Sequence, residues 1–489
     1  MKLEIKKINV ESGGPWVAVL HEETAKKLGA YPSDRITIAR LRLKKEINCV
    51  LDVTTTGVKP GQIGLFEETF HKLALPEKSH VDITIAEKPE SIHIIKKKLE
   101  GHTLSKSEIY QLVKDITDNE FSETELTYFV AATYMKGLSL EETVNLTNAI
   151  VETGERLKFK DKVILDKHCI GGVPANRTTM VIVPILASLG YKVPKTSSRA
   201  ITSASGTADT MEVLAPVSLS KTKIENMVNK VGGCIAWGGA VNLASADDKL
   251  IKIRHPLSID PTGMLLASIM AKKKAAGATH ILIDIPCGEG AKIKCDRDAV
   301  ELKKSFESIA KKLQLKVKVI ITDGSHPIGN GVGPALEASD VISVLKGDGP
   351  NDLREKCIMM ASEMLKLANV KDARALVTEE IDSGRAWEKF KEIVMAQGGR
   401  KYLRVPKARY FYNVKATKKG RVKAIHNKVV AEIARLAGAP EDKSAGLYLR
   451  VDIREDVTEG MTLFTVYSNS KQDIETVKKR LKTLNPISY

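Results

Sequence analysis

The chain has 489 residues, enough for about three domains, and its 43% hydrophobic content is ample for buried cores. No apolar run reaches the roughly 18 residues of a membrane span and the opening MKLEIKKINV lacks the features of a secretory signal, so a soluble, cytoplasmic protein with no membrane partner is expected. The net charge is +16, but aromatics make up only 5%, basic runs such as Lys96–Lys98 fall in helical stretches, and the six cysteines and ten histidines show neither C-x-x-C nor H-x-x-x-H spacing; stacked nucleic acid, a disulfide framework and a zinc site are all disfavoured.

In chain order, residues 1–88 contain an internal repeat. Glu22-Glu23-Thr24 returns as Glu67-Glu68-Thr69, Lys27-Leu28 as Lys72-Leu73, and Ile36-Thr37-Ile38-Ala39 as Ile83-Thr84-Ile85-Ala86. Each copy reads as a short helix, a turn and a strand, flanked by the β-rich segments Trp16–Leu20 and Ile47–Val53. Two such halves predict a duplicated, double-psi-like β-barrel without a catalytic constellation. Glu87-Lys88-Pro89-Glu90 reads as a linker. Beyond it, Ser105 with Glu108, Ser122 with Glu125 and Ser139 with Glu142 are three capping-box signals, each opening a helical period. They predict a helical lobe over 89–160.

From Val163 the pattern changes to strands alternating with helices: Val163–Asp166, Lys192–Thr196, His280–Ile285 and Val317–Thr322, as in a mostly parallel sheet. The first strand runs into Lys167-His168-Cys169-Ile170-Gly171-Gly172-Val173, a polar glycine turn before an apolar helix from Thr178 to Leu189. The second ends in Lys195-Thr196-Ser197-Ser198-Arg199, followed by a run of small and hydroxyl residues, Ala200–Thr210, with no hydrophobic period. Glycines let backbone N–H groups approach closely, a helix N-terminus adds partial positive charge, and Lys167 and Arg199 add full charges. Ser197, Ser198, Thr202, Ser203, Ser205 and Thr207 can donate to phosphate oxygens, so the pattern points to an anionic occupant. Each cation also has an ordinary alternative: Lys167 as an exposed strand-end lysine, Arg199 as a structural partner of Asp209 or Glu212.

Helical material over 246–276 interrupts the α/β alternation, with Ser268 and Lys272 one turn apart on one face. Asp260 precedes Pro261 and could simply cap the helix that follows. Lys292, in Gly288-Glu289-Gly290-Ala291-Lys292, follows the strand His280–Ile285 at the end where open α/β sheets bind ligands. Gly329-Asn330-Gly331-Val332-Gly333 lacks a full dinucleotide fingerprint and reads as a tight loop before a helix. From Lys401 short strands predict a separate β-rich domain.

Asp166–Val173 resembles the signature of the thymidine and pyrimidine-nucleoside phosphorylases, with Cys169-Ile170 where that family usually has Ser-Thr. The run KTSSRAITSASGTADTMEV, Lys195–Val213, is similar to the nucleotide-using branch of the family, the archaeal AMP phosphorylases. The resemblance covers roughly residues 90–489 and implies that 246–276 returns to the helical lobe, with a cleft between the lobes; with the repeat and the C-terminal strands the expectation is a multidomain α/β chain of a barrel over 1–88, a helical lobe over 89–160 and 246–276, an α/β lobe over 161–245 and 277–400, and a C-terminal α+β domain over 401–489. It implies inorganic phosphate at Lys167, Cys169, Thr178, Ser197 and Thr207, with Asp260 as proton donor to the leaving base. Arg254, Ser268 and Lys272 match the family's base contacts, although one residue fewer separates Arg254 from Ser268 here. For AMP it implies Gly172, Ser198, Arg199, Ala200, Ile201, Thr202, Ser203, Thr207, Ser268 and Lys292.

Nucleoside phosphorylases of this type carry Ser-Gly-Arg-Gly-Leu-Gly-His where this chain has Ser197–Ser203, so hydroxyls beside Arg199 are expected to read a 5′-phosphate. Phosphate and AMP are then the small-molecule substrates, no cofactor or metal is needed, and a homodimer or higher homo-oligomer is expected. A nucleoside phosphorylase for thymidine or uridine is the near alternative. Anthranilate phosphoribosyltransferase shares the wider fold but would need a pyrophosphate–metal site, whose acidic pattern is not evident. A basic nucleic-acid-binding protein is the alternative from another class, and it would lose binding steeply with salt.

Overall fold

A computed structural model describes residues 1–13, 16–40, 45–87, 89–200, 203–257 and 259–489; Lys88, Ile201, Thr202 and Ser258, which fall in stretches discussed above, lie outside that set. The chain divides into two compact units, Met1–Gly154 with Ala244–Ala271, and Glu155–Leu243 with Lys272–Tyr489.

The first unit begins with β1 (Lys2–Lys7), β2 (Val17–His21), α1 (Glu22–Leu28), β3 (Arg35–Arg40), β4 (Lys45–Thr54), β5 (Gln62–Leu65), α2 (Glu67–Leu73) and β6 (His80–Ile85). The six strands close into a barrel in the order β1-β5-β2-β4-β3-β6. The sequence repeat explains this closure. Strands β3 and β6 are its equivalent parts, and they pair antiparallel with Ile36 opposite Ile85, Thr37 opposite Thr84 and Ile38 opposite Ile83. The two copies therefore face each other across an approximate twofold axis at the threonine pair, and the parallel pairs β1–β5 and β2–β4 are related in the same way. Alternate side chains, among them Leu3, Ile5, Ile36, Ile38, Ile63 and Ile83, fill the interior.

Four helices follow: α3 (Ile92–Leu99), α4 (Lys106–Thr117), α5 (Glu123–Lys136) and α6 (Leu140–Thr153). Ser105, Ser122 and Ser139 each accept the N–H three residues on, and Glu108, Glu125 and Glu142 each reach back to the cap N–H, so all three capping boxes form. Glu142 does more than cap: buried, it also accepts from Lys98 Nζ at 2.8 Å and from the Leu104 N–H at 2.9 Å.

The second unit carries β7 (Leu165–Cys169), α7 (Thr178–Ser188), β8 (Val193–Ser197), α8 (Thr207–Glu212), α9 (Lys221–Val231) and β9 (Gly233–Trp237). Next come α10 (Ser245–Arg254), in the first unit, and α11 (Thr262–Ala275), whose last turn belongs to the second. Lys249 on α10 donates to the last carbonyls of α4, Ile116 at 2.6 Å and Thr117 at 2.9 Å. Then follow β10 (His280–Cys287), α12 (Asp296–Lys312), β11 (Lys316–Asp323), β12 (Gly331–Val332), α13 (Pro334–Lys346), α14 (Asn351–Leu367), α15 (Ala373–Asp382) and α16 (Arg385–Gln397). Strands β11, β10 and β7 form a parallel sheet, β8 and β9 a parallel pair, and a bridge between Ile164 and Lys192 joins the two. Helix α7, buried from Thr178 to Ala187 and apolar from Met180 to Ala187, packs in this unit's core.

Two local expectations shift. The first strand ends at Cys169 rather than Asp166, because pairing with β10 continues to the Cys169–Asp284 register; Lys167, His168 and Cys169 are strand residues, not turn residues. The aperiodic run after Arg199 turns helical at Thr207, where Asp209 caps the Gly206 N–H.

The C-terminal part has β13 (Tyr410–Lys415), β14 (Gly420–Arg421), β15 (Ala424–Ile425), α17 (Asn427–Leu436), β16 (Gly446–Leu449), β17 (Asp456–Val457), β18 (Thr462–Ser468), α18 (Lys471–Arg480) and β19 (Ile487–Ser488). Strands β14 and β15 are separate although close in sequence, because β14 pairs with β17 and β15 with β19. Strand β12 joins this domain's sheet by pairing with β16. The glycines before α13 are needed for that junction: a Cβ on Gly333 would stand 2.3 Å from the Ala445 carbonyl oxygen. The N–H groups of Asn330 and Gly331 are accepted by Asp340, and that of Gly329 by Asp352, which makes the segment a structural loop.

Candidate active site

In the middle of β7, Lys167 is buried and its Nζ donates to Thr178 Oγ1 at 2.8 Å, at the start of α7; Thr178 in turn donates to Asn176 Oδ1 at 3.0 Å. Lys167 is not the exposed strand-end lysine of the ordinary reading. Cys169 Sγ accepts from the Gly171 N–H at 3.4 Å and from Asn176 Nδ2 at 3.5 Å. Burial, with the charge of Asp284 behind it, pushes the thiol up to about 11, so it stays protonated. Gly172, at φ +94°, lies against the loop that carries Lys292: an added Cβ would be 2.4 Å from the Lys292 nitrogen and 3.1 Å from the Ala291 carbonyl carbon. Two segments far apart in sequence thus meet backbone to backbone, which only glycine permits.

The second loop leaves β8 at Ser197, whose Oγ donates to the Ser198 carbonyl at 3.5 Å; Ser203 Oγ donates to the Ser205 carbonyl at 3.1 Å. Gly206 closes the loop on itself, since a Cβ there would lie 2.6 Å from the Arg199 carbonyl carbon and 2.7 Å from the Ala200 nitrogen. Asp209 holds the same turn by accepting from the N–H groups of Ala200 at 2.6 Å and Gly206 at 2.9 Å. Thr207 Oγ1 accepts from Arg177 Nη1 at 2.9 Å, and Arg177, the residue preceding α7, also donates to the Ser205 carbonyl at 2.9 Å and pairs with buried Glu337. Arg177 therefore ties Thr207 to the neighbourhood of Thr178.

Arg199, expected to offer its guanidinium to a 5′-phosphate, is instead engaged by two carboxylates. It makes a forked pair with Glu212 at 2.7 and 2.5 Å and a third bond to Asp209 at 3.1 Å, and it stacks 5.1 Å over the Trp237 ring. Hydrogen bonding from Arg199 holds the Glu212 carboxyl down near 2, with help from Lys443 at 2.9 Å. The ordinary alternative for Arg199 is the geometry found. Its physical reason is the fork: a planar guanidinium matches a carboxylate bidentately, and Glu212 lies one helical stretch away.

Beneath these loops lies a set of buried charges. Asp166 accepts from Lys195 Nζ at 3.3 Å and Lys273 Nζ at 2.7 Å, and Lys195 also donates to the Lys167 carbonyl at 2.8 Å. Burial, reinforced by the ammoniums of Lys273 and Lys167, drives Lys195 down to about 7 against the pull of Asp166. Enclosure and the surrounding lysines keep His168 neutral. Of this set only Lys167 was marked from the sequence; Asp166 lay within the motif, but nothing in local spacing signalled Lys273, which arrives from 107 residues downstream.

Of the residues expected on the base side, Arg254, Asp260 and Ser268 sit in the first unit. Arg254 is buried, with Nη2 3.7 Å from Asp247 Oδ1 and Nη1 3.4 Å from Asp260 Oδ1, and Ser268 Oγ donates to Asp247 Oδ2 at 2.6 Å. Asp247, unmarked in the sequence, thus brings Arg254 and Ser268 together. The Asp260 side chain is 37% exposed and faces Arg254; within this unit it is not an enclosed acid. Lys272, half-buried, lies in the last turn of α11 one turn beyond Ser268.

Three family models match the chain: the helical bundle domain of a glycosyl transferase family over residues 92–154, the a/b domain of the same family over 161–387, and the pyrimidine nucleoside phosphorylase C-terminal domain over 421–488. The chain is 40% identical over 490 residues to an AMP phosphorylase of Thermofilum pendens, spanning 100% of this chain and 95% of the relative. It is 41% identical to an AMP phosphorylase of Methanococcoides burtonii, over 99% of this chain and 97% of the relative. A putative thymidine phosphorylase of Legionella pneumophila is 43% identical over 86% of this chain and 81% of its own length. Among solved structures, anthranilate phosphoribosyltransferase from Thermus thermophilus has the same fold over 62% of this chain and 99% of its own, with a TM-score of 0.51 and 17% identity.

Proposed function

The chain belongs to the AMP phosphorylases of the glycosyl transferase family, and from that premise we propose how its residues divide the reaction. AMP and inorganic phosphate give adenine and ribose 1,5-bisphosphate, and CMP and UMP are further substrates. A phosphate oxygen attacks C1′, the bond from C1′ to the base nitrogen breaks, and the departing base takes up a proton. Phosphate supplies the nucleophile, so the protein needs neither a covalent intermediate nor a cofactor. Its work is to hold charge and position the reactants.

In this reading Lys167, Thr178 and the N–H groups of the Gly171-Gly172 turn hold inorganic phosphate. Cys169 contributes as a neutral thiol that shapes the turn, because a buried protonated sulfur is a weak donor. Ser198 and Ser203 donate to the 5′-phosphate of AMP; Arg199, held by Glu212 and Asp209, fixes the loop that carries them. Arg254, Ser268 and Lys272 contact the base, and Asp260 delivers the proton. The observation that carries the reading is the contact of Gly172 with the Lys292 backbone, which supports a single anion-binding surface built from two distant loops.

A homodimer or higher oligomer in the cytoplasm, with no nucleic-acid partner, completes the proposal. The relatives from Legionella pneumophila give the thymidine-phosphorylase alternative its footing. A base-release screen with AMP, CMP, UMP, adenosine and thymidine, with and without phosphate, separates the two. Phosphate-dependent release from the monophosphates is expected; preferential release from thymidine would replace this reading with the alternative.

A further inference from the structure

The division of labour above leaves a second buried ammonium beside Lys167 without a task. Lys356, on α14, is 9% exposed, and its Nζ has no hydrogen-bond partner among the described residues. Its ion-pair partner is Asp284 Oδ2 at 4.0 Å, beyond hydrogen-bond length, and that oxygen is equally unpartnered. Lys167 Nζ stands 3.9 Å from the same oxygen, while the other Asp284 oxygen accepts from Thr322 Oγ1 at 2.7 Å. Asp284 pairs in register with Cys169 on the neighbouring strand. The next residue on α14, Cys357, donates its thiol to the Thr178 carbonyl at 3.7 Å, which places this turn of the helix beside the start of α7. The Lys356 charge is also felt at the Cys169 thiol.

A buried ammonium with its hydrogen bonds unmade is costly, and proteins keep such groups where something else completes them. Charge counting says what that something is. Two buried carboxylates, Asp166 and Asp284, stand against the buried ammoniums of Lys167, Lys273 and Lys356, with Lys195, driven down to about 7, adding part of a further charge, so the cluster is net positive. Asp323, whose carboxylate also feels Lys356, is exposed and screened by water. A phosphate anion offsets that positive excess and can accept from the ammonium that Asp284 leaves unsatisfied.

We infer that Lys356 is a second phosphate-holding cation of this site: its ammonium donates to the inorganic phosphate that enters beside Lys167, and Asp284, shared by both lysines, keeps them in place. The inference rests on reading the end of β7 as the inorganic-phosphate site. It is tested on the full chain by initial rates of adenine release, varying phosphate at saturating AMP and AMP at saturating phosphate, and by calorimetric titration with inorganic phosphate alone. Lys356→Met, similar in size and uncharged, is expected to raise KM for phosphate by about tenfold or more, to weaken phosphate binding in parallel, and to leave KM for AMP within about twofold. Lys356→Arg should recover part of the loss. An unchanged KM for phosphate, or equal rises for both substrates, overturns the inference. Should K356M fail to fold, Lys356→Gln, which removes the charge and leaves Asp284 in place beside Lys167, is read in the same two rate series: a raised KM for phosphate with an unchanged KM for AMP supports the inference, and an unchanged KM for phosphate overturns it. Wild-type enzyme that releases base without phosphate would sink the reading of the site itself; phosphate dependence with an unaffected K356M sinks only Lys356.

Discussion

Arg199 illustrates how far a single residue can be read before its neighbours are known. A lone arginine among serines and threonines is a reasonable anion binder, yet its fork is closed by Glu212 and Asp209, and the hydroxyls beside it are left as the donors. Hydrogen bonds to a charged group are worth about 1.5–3 kcal/mol, so Ser198→Ala is expected to cost roughly 10- to 100-fold in kcat/KM for AMP. Adenosine, which has no 5′-phosphate, should be a poor substrate for wild type and variant alike. Parallel losses on both substrates would make Ser198 a loop residue only. Asp260 is the residue proposed to deliver the proton. With its carboxylate 3.4 Å from Arg254 and 37% exposed, it is held in orientation by a cation while remaining open to a ligand. Asp260→Asn should fold normally and lose on the order of 100- to 10,000-fold in kcat, the usual scale for general acid catalysis. Turnover of AMP near the wild-type rate would return Asp260 to a helix cap.

Elements whose rules are local were legible: three serine–glutamate pairs three residues apart gave three capped helices. The loop before α13 obeys a less local rule. Its N–H groups at Asn330 and Gly331 converge on Asp340 Oδ2 at 2.8 and 2.7 Å, and Asp340 is buried. Burial pushes the Asp340 carboxyl up from 3.8 to about 6, although the two N–H groups oppose the shift. Between these values the folded chain holds a proton that the unfolded chain has released. This group's contribution is therefore full below about pH 4 and is lost as pH rises through 6, a change on the order of 3 kcal/mol. Glu337, also raised by burial, acts in the same direction. Chemical denaturation of wild type and Asp340→Asn across pH 4 to 7 checks this. The decline with rising pH should be shallower in the variant, and identical slopes would remove Asp340 as a source.

At the scale of the whole molecule, the barrel seals its own strand edges, and Arg35 with Glu125 and Asn48 with Glu120 fasten it to the helices that follow. A sealed barrel whose sequence offers no catalytic constellation serves assembly better than chemistry, so removal of residues 1–88 is expected to leave a folded chain with fewer subunits. Light scattering on both forms is the measurement, and an unchanged subunit number would discard the assembly role. By itself the sequence determined what short-range physics determines. Its repeat specified a two-half barrel, its capping boxes the helices, its strand–helix alternation the parallel sheet, and its glycine-hydroxyl runs the two loops proposed to hold anions. Tertiary structure decided which distant groups meet: in the second unit Lys273 on Asp166, Lys356 opposite Asp284 and the Lys292 backbone against Gly172, and in the first Asp247 between Arg254 and Ser268. The physical reason is that a buried charge must be answered by whichever opposite charge the packing brings within a few ångströms, and packing, unlike periodicity or capping, leaves no trace in the spacing of residues along the chain.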